Sequence, residues 1–204
     1  MRAIMQQADL SAKVNLDTLS KKNLYGLGPV AGLKGELMIL DGEVYTSSKN
    51  GDQVENLRNK VSEAAMLVYC HVNKWRTVSI KASVNGYHEL EELISKTAVA
   101  NGYDISVPFA FKIEVLPVTI NYHVINWQEG VAHTSDNHKQ FAYSGQFTNQ
   151  RTTLLGFYST QHKGIFTHHT SSMHIHFLNN ETSLVGHLDD IQINDSITLY
   201  LPEK

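Results

Sequence analysis

Hydrophobic and polar residues alternate along most of this chain with a period of two, which is typical of half-buried β-strands. Residues 35–45 predict two such strands, joined at 41–42 by the Asp-Gly dipeptide that favours tight hairpin turns. Between Tyr87 and Ala100 the apolar residues instead recur every three or four positions, and an Asn-Gly pair follows. This spacing predicts one amphipathic helix among the strands.

The other strand-like segments are rich in β-branched and aromatic residues. They are residues 64–72, 77–84, 107–124, 141–147, 152–159, 172–178 and 196–201. Residues 126–138 are polar and predict a loop, so we place a loose boundary just before them. The pattern predicts an α+β fold dominated by sheet, in two parts that form one compact unit. Residues 1–125 would be an N-terminal α+β part with a mixed sheet, and 126–204 a C-terminal β part with an antiparallel sheet or barrel.

The composition and the apolar pattern argue against several classes of partner. The net charge of −3 argues against a nucleic-acid partner bound through a basic face, and no stretch is long and apolar enough to cross a membrane. The single cysteine, Cys70, lies in an apolar run and predicts a buried thiol rather than a nucleophile. We expect a cytoplasmic protein, although a leader that had been removed would leave the same sequence.

Three histidines near the C-terminus are the strongest chemical signal. His174 and His176 are two residues apart, so on a strand they project from the same face, and His187 follows after a Gly. Exposed histidines on a solvent-facing strand would also have this spacing, but the apolar neighbours Ile175 and Phe177 favour a buried site. Three imidazoles leave a coordination position open, as in catalytic rather than structural metal sites. Zinc fits best, and nickel, cobalt, iron and manganese remain alternatives.

Two charged residues are further candidates. Arg151 precedes an apolar strand, where it is either solvated at an edge or an inward cation that binds a carboxylate. Glu36 opens another apolar strand and is a solvated strand end, a general acid or base, or a partner of Arg151. The pattern alone leaves these alternatives open.

Two other groups of histidines carry weaker signals. His133, Asp136 and His138 form a possible ligand set, although a solvated loop is the better interpretation. His168 and His169 are adjacent, so at most one of them can face the metal from a strand. Either one could orient a ligand or the substrate.

Several of these motifs together resemble the α-acetolactate decarboxylase family. The resemblance runs in order through residues 26–28, 33–37, 41–43, Arg151 and 155–157. Its most specific element is His174-Ile175-His176-Phe177 followed by Gly186-His187. In this order the resemblance covers nearly the whole chain.

The resemblance implies a carboxy-lyase that converts 2-acetolactate to acetoin and CO2 through a metal-stabilised enediolate. His174, His176 and His187 would hold zinc, while Arg151 and Glu36 would handle the acidic substrate and the proton. The family fold is a two-part α+β unit, usually dimeric, with the metal in its C-terminal part. We therefore expect a homodimer that acts on a small molecule and binds neither nucleic acid nor membrane.

The chain differs from the family pattern at two places. Pro29 stands where members resemble Gly-Xaa-Gly-Thr, and the sequence stops at Lys204 before a tail that supplies a carboxylate in longer members. Glu203 and Glu43 are candidates to replace that carboxylate. The differences leave open a related α-hydroxy-β-keto acid as the substrate. A second alternative is a non-catalytic, metal-binding regulatory domain of the same fold, although the acidic balance of the chain favours the enzyme.

Overall fold

The computed structural model describes residues 9–131, 137 and 140–203. In chain order its strands are β1 (Val14–Asn15), β2 (Leu24–Pro29), β3 (Glu36–Leu40), β4 (Glu43–Asn50), β5 (Gln53–Arg58), β6 (Glu63–Ala64), β7 (Val68–His71), β8 (Trp75–Lys81), β9 (Val84–Asn85), β10 (Phe109–Val115), β11 (Thr119–Val124), β12 (Tyr143–Phe147), β13 (Thr152–Tyr158), β14 (Met173–Asn179), β15 (Val185–Ile193) and β16 (Ser196–Pro202). The helix α1 spans Tyr87–Ala100. The predicted α+β fold dominated by sheet is confirmed, and the helix occupies the predicted residues.

The smaller of the two main sheets has five strands in the order β5-β4-β3-β2-β7. Asp41 and Gly42 join β3 to β4, and both have positive φ angles, 49° and 82°. Two consecutive positive φ angles are what a type I′ hairpin turn requires, so the predicted turn is confirmed. All the pairings in this sheet are antiparallel, whereas we expected a mixed sheet. Short connections join β2 to β3, β3 to β4 and β4 to β5, and such connections produce antiparallel pairs; β7 pairs with β2 after a longer excursion of the chain.

The larger sheet has nine strands in the order β12-β11-β15-β14-β13-β10-β16-β8, and β9 also pairs with β15. Its pairings are antiparallel as expected, but its two ends do not pair, so it is an open sheet rather than a barrel. The sheet takes strands from both sides of residue 125. The proposed division into 1–125 and 126–204 therefore stays a prediction.

Within the described part of the chain, no helix has the length and hydropathy needed to span a bilayer.

The two faces of β14 have different environments. On one face, Met173, Ile175 and Phe177 belong to the main hydrophobic core, together with Leu90 and Ile94 of α1. These helix residues are four apart and fully buried, as expected for the apolar stripe of an amphipathic helix.

The opposite face of the larger sheet packs against the smaller sheet. Leu155 and Leu178 of the larger sheet form a second core with Leu27 and Met38 of the smaller one. Because side chains alternate along a strand, His174 and His176 project to this face with Leu178. The fold therefore places two of the predicted metal ligands between two sheets, away from bulk water.

Candidate metal centre

Two adjacent strands bring the predicted histidine trio together. All seven residues of β14 are buried, and His174 and His176 lie two apart on it. His187 of β15 lies directly opposite His176 across the strand pair. We refer to His174, His176 and His187 as the histidine cluster.

The spacing of the ring nitrogens fits a single metal ion. One nitrogen from each ring of the histidine cluster lies within 4.8 Å of the other two. Nε2 of His174 and Nδ1 of His187 are 3.2 Å apart. Two nitrogens bound to a tetrahedral zinc, each at about 2.0–2.1 Å, lie roughly 3.4 Å from each other. The observed separation is close to this value.

Burial keeps the three imidazoles uncharged, which metal binding requires. It lowers the pKa of His174 to about 4, outweighing the upward effect of the Phe166 backbone. Burial, together with the charges of neighbouring histidines, also lowers the pKa values of His176 and His187 well below the ordinary value. At neutral pH each ring therefore has one unprotonated nitrogen whose lone pair can bind a cation.

A backbone contact from the smaller sheet orients His176. Nδ1 of His176 donates a hydrogen bond of 2.9 Å to the carbonyl oxygen of Leu37 in β3. The proton of the neutral ring is therefore on Nδ1, and Nε2 is left to bind a cation. Such a contact fixes both the tautomer and the angle of a metal-binding histidine.

Gly186 lets an aromatic ring approach the backbone beside the histidine cluster. It pairs with Phe177 across β14 and β15, and a Cβ at position 186 would lie 2.7 Å from that ring. Any larger residue would displace Phe177 from the main core or push β15 away. The absence of a side chain at this glycine therefore permits the close approach of the ring.

Glu36 lies against the histidine cluster from the smaller sheet. Its side chain is only 4% exposed, and its Oε2 is 3.4 Å from Nε2 of His176. Because His176 is neutral, this contact is not an ion pair. Burial raises the pKa of Glu36 to about 7, although the charge of His123 and a hydrogen bond from the backbone N–H of Ile125 oppose the rise. Glu36 is therefore a carboxyl group that exchanges a proton near neutral pH.

Arg151 lies apart from the histidine cluster. It is exposed and precedes β13, where it lines a polar cleft together with Glu114, Asn180 and Asp195. Leu155, four residues after Arg151, pairs with His176, which separates the two sites by roughly 13 Å along the strand. The structure does not bring Arg151 together with Glu36 either. Its role in substrate binding stays a prediction with no observed contact to support it.

The two carboxylates considered as replacements for a tail residue have other partners. Glu43 accepts hydrogen bonds from Arg58 and Asn59, and Glu203 forms an ion pair with Lys74 at 2.9 Å. Neither carboxylate lines the cavity at the histidine cluster. Sequence position alone therefore did not identify a second carboxylate for the site.

Of the adjacent pair at 168–169, only His168 lines the cavity beside the histidine cluster. The two residues do not lie on a strand, so the expectation based on strand alternation is not tested here. Nδ1 of His168 lies 2.8 Å from the hydroxyl oxygen of Thr170. His133, Asp136 and His138, the weaker ligand set, lie outside the described residues.

A cavity of about 380 Å³ opens onto the histidine cluster. Its size falls within the range for small-molecule sites, roughly 300–1,000 Å³. Apolar side chains and polar groups share its wall. Among its lining residues are Phe166, Met173, Leu188, His123, His174 and Asp189.

The sequence model of the alpha-acetolactate decarboxylase family matches residues 1–202. The chain belongs to this family. The match includes the histidine cluster, Glu36 and every strand of both main sheets. None of the curated proteins matches the chain.

Solved structures related to alpha-acetolactate decarboxylase share the fold. The chain is similar to the alpha-acetolactate decarboxylase of Bacillus subtilis strain 168, with a TM-score of 0.76 and 21% identity over 96% of this chain and 80% of that one. A Staphylococcus aureus protein of unknown function, described as similar to alpha-acetolactate decarboxylase, gives a TM-score of 0.73 and 17% identity, again over 96% and 80%. At these identities the likeness establishes the fold of the family and leaves the activity to be tested.

His123 and Asp189 line the cavity of this alpha-acetolactate decarboxylase family member, yet the pattern analysis did not single them out. The sequence does contain a pattern that could have indicated His123. Along β11, polar positions alternate with buried apolar ones, and His123 is one of the polar positions. That alternation places His123 on a polar face of an otherwise apolar strand. What the pattern does not contain is the pairing of β11 with β15, which brings His123 opposite His187.

Proposed function

We propose that this protein decarboxylates 2-acetolactate to acetoin and CO2 at a divalent cation, zinc, held by His174, His176 and His187. The observation that carries the proposal is the set of three uncharged imidazoles that converge beside a cavity in a chain of this family. A cation bound by them would act as a Lewis acid toward the negative charge that develops when CO2 leaves. The remaining steps are bond changes within the substrate and proton transfer from a side chain of the protein.

The bond changes in the substrate define what those side chains must do. The bond between the carboxylate and the carbon bearing the hydroxyl breaks, and its electron pair forms a carbon–carbon double bond. The neighbouring ketone oxygen thereby becomes an oxyanion, giving an enediolate. A proton must then add to the carbon that lost CO2, which yields acetoin. The site therefore needs one proton donor beside the reacting carbon.

Glu36 is our candidate for that donor. Its pKa of about 7 leaves a useful fraction of protonated carboxyl near neutral pH, where general acids are most effective. Its Oε2 lies 3.4 Å from the histidine nitrogen that would face the cation. The N–H of Ile125 holds the other carboxyl oxygen, Oε1, at 3.2 Å, so the position of the group is fixed.

The apolar wall of the cavity has a separate role. Phe166, Met173 and Leu188 exclude water around a substrate bound at the histidine cluster. Lower hydration strengthens electrostatic interactions inside the site. These side chains also suit the methyl groups of 2-acetolactate.

The test is acetoin release from racemic 2-acetolactate by chelator-stripped protein and by the same sample after zinc is restored. We expect release only after zinc is restored. Zinc bound at one ion per chain without acetoin release would contradict the proposal. In that case a related α-hydroxy-β-keto acid and the non-catalytic binding role become the explanations to test.

Three further expectations accompany this proposal. Zinc rather than another divalent metal, a homodimer and a cytoplasmic location all remain predictions. Metal analysis of the purified protein tests the first, sedimentation velocity tests the second, and fractionation of the source cells tests the third.

A further inference from the structure

His123 lies beside the histidine cluster without belonging to it. It faces His187 across the β11–β15 pair, and the centroids of the two rings are 4.7 Å apart. Its side chain is 31% exposed and lines the cavity. The ring is therefore within reach of a small molecule bound at the histidine cluster.

Asp189 holds the ring of His123. Its Oδ1 is 2.7 Å from Nδ1 of His123. Since a carboxylate only accepts hydrogen bonds, the imidazole proton at this contact is on Nδ1. Asp189 reaches this position at a register shift, because Leu188 pairs with Tyr122 while Asp190 pairs with Asn121. Asp189 is thus the extra residue of a β-bulge, a feature that redirects side chains beside binding sites.

The second ring nitrogen of His123 has no such partner. Within the described residues, Nε2 makes no hydrogen bond, although the ring lines a cavity. In a neutral ring with its proton on Nδ1, Nε2 accepts a hydrogen bond, and in a charged ring it donates one. A hydroxyl group matches both states because it can donate and accept.

We infer that His123 recognises the hydroxyl group of a 2-hydroxy acid bound at the histidine cluster, while Asp189 is a positioning residue that holds the ring. The inference rests on the proposed function, since 2-acetolactate carries its carboxylate and hydroxyl on the same carbon. It adds a source of selectivity for the hydroxyl that is independent of the cation. The contact does not depend on the charge of His123.

The experiment measures binding of two unreactive acids to the zinc-loaded protein by calorimetry. 2-Hydroxyisobutyrate carries the hydroxyl, and isobutyrate lacks it. Wild-type protein should prefer the hydroxy acid, and His123→Phe should reduce that preference by about fivefold, as expected for one hydrogen bond. His123→Gln, which retains a polar side chain, should restore part of the preference.

Two further variants separate this role from a general disturbance. His88→Phe makes the same change on the outer surface of α1, where the side chain is 82% exposed, and should leave the preference unchanged. Asp189→Ala should lower the preference less than His123→Phe, because the ring remains but is no longer held. Zinc content and thermal unfolding are measured for each variant. If His123→Phe loses zinc or fails to fold, the test depends on Asp189→Ala. A lower ratio of its affinity for the hydroxy acid to its affinity for isobutyrate, relative to wild type, then supports the inference.

The outcomes distinguish this inference from the proposed function. If His123→Phe and Asp189→Ala retain zinc and the full wild-type preference, the role of His123 is wrong while the proposed function stands. If wild-type protein with bound zinc does not prefer the hydroxy acid, the inference is wrong, and acetoin release decides the proposed function separately. A reduced preference in His123→Phe with unchanged zinc content supports the inference.

Discussion

The two ends of the β13–β14 strand pair carry polar residues in contrasting surroundings. At one end, His174 and His176 are buried between two sheets, and their pKa values are strongly lowered. At the other end, Arg151 is exposed in a polar cleft of about 560 Å³. The sequence predicts site residues at both ends. The contrast shows that the second sheet, by removing water, turns a pair of strand residues into a site.

The largest expected effect is at the buried end. His176→Ala removes one nitrogen ligand and the contact with Leu37, so zinc content should fall close to zero. Acetoin release should fall by roughly a thousandfold or more, because Lewis-acid stabilisation is lost. Metal analysis and an acetoin assay measure the two effects. The matched change His71→Ala, at an exposed histidine of β7, should alter neither. Normal zinc content in His176→Ala would show that the metal is held elsewhere.

Glu36→Gln tests whether the carboxyl group acts in the reaction rather than in holding the fold. The substitution keeps the shape and the contact with Ile125 but removes the exchangeable proton. We expect turnover to fall by about a hundredfold with zinc retained. Steady-state kinetics with metal analysis measures this, and Glu43→Gln, at a partly exposed position in β4, is the control. Equal losses in both variants would remove Glu36 from the mechanism.

The same substitution should also change how stability depends on pH in chelator-stripped protein. The folded state raises the pKa of Glu36 from 4.5 to about 7, so between these values the folded protein keeps a proton that the unfolded chain releases. Wild type should therefore lose about 3 kcal/mol relative to Glu36→Gln as pH rises through this window.

The buried histidines act in the opposite direction. They destabilise the fold as pH falls from 6.5 toward about 4, the lowered pKa of His174. This contribution is common to wild type and Glu36→Gln, so it cancels in the difference between them. Urea unfolding at several pH values provides the measurement. A difference that does not change with pH would mean that Glu36 is ionised throughout.

The smallest expected effect is at the exposed end. Arg151→Ala should keep its zinc, and its acetoin release should stay within about twofold of wild type, because the side chain is exposed and lies roughly 13 Å along the strand from the histidine cluster. Arg76→Ala, at another exposed arginine on β8, is the matched comparison. A large loss of turnover for Arg151→Ala alone would support the role in substrate binding that the family resemblance implied. It would also mean that the two ends of the strand pair act together.

Local patterns predicted the features that depend on neighbouring residues. The helix at Tyr87–Ala100, the hairpin at Asp41 and the shared face of His174 and His176 follow from spacing and turn chemistry alone. Residues 107–124, for which the pattern predicted one or two strands, form two strands, β10 and β11, separated by residues 116–118.

Features that depend on pairing between distant segments could not be predicted from local sequence patterns. His123 and Asp189 are 66 positions apart and meet only because β11 pairs with β15 across a bulge. The burial of Glu36 likewise depends on how the two sheets pack. Arg151 illustrates the reverse case, since proximity in sequence to a site strand did not bring it to the site.

The hydrogen bond from His176 to Leu37 joins residues that are 139 positions apart and belong to different sheets. The three ligands all belong to β14 and β15 of the larger sheet, whereas the tautomer and ring angle of His176 depend on the smaller sheet. We therefore expect that loosening the contact between the two sheets would weaken cation binding without removing any ligand.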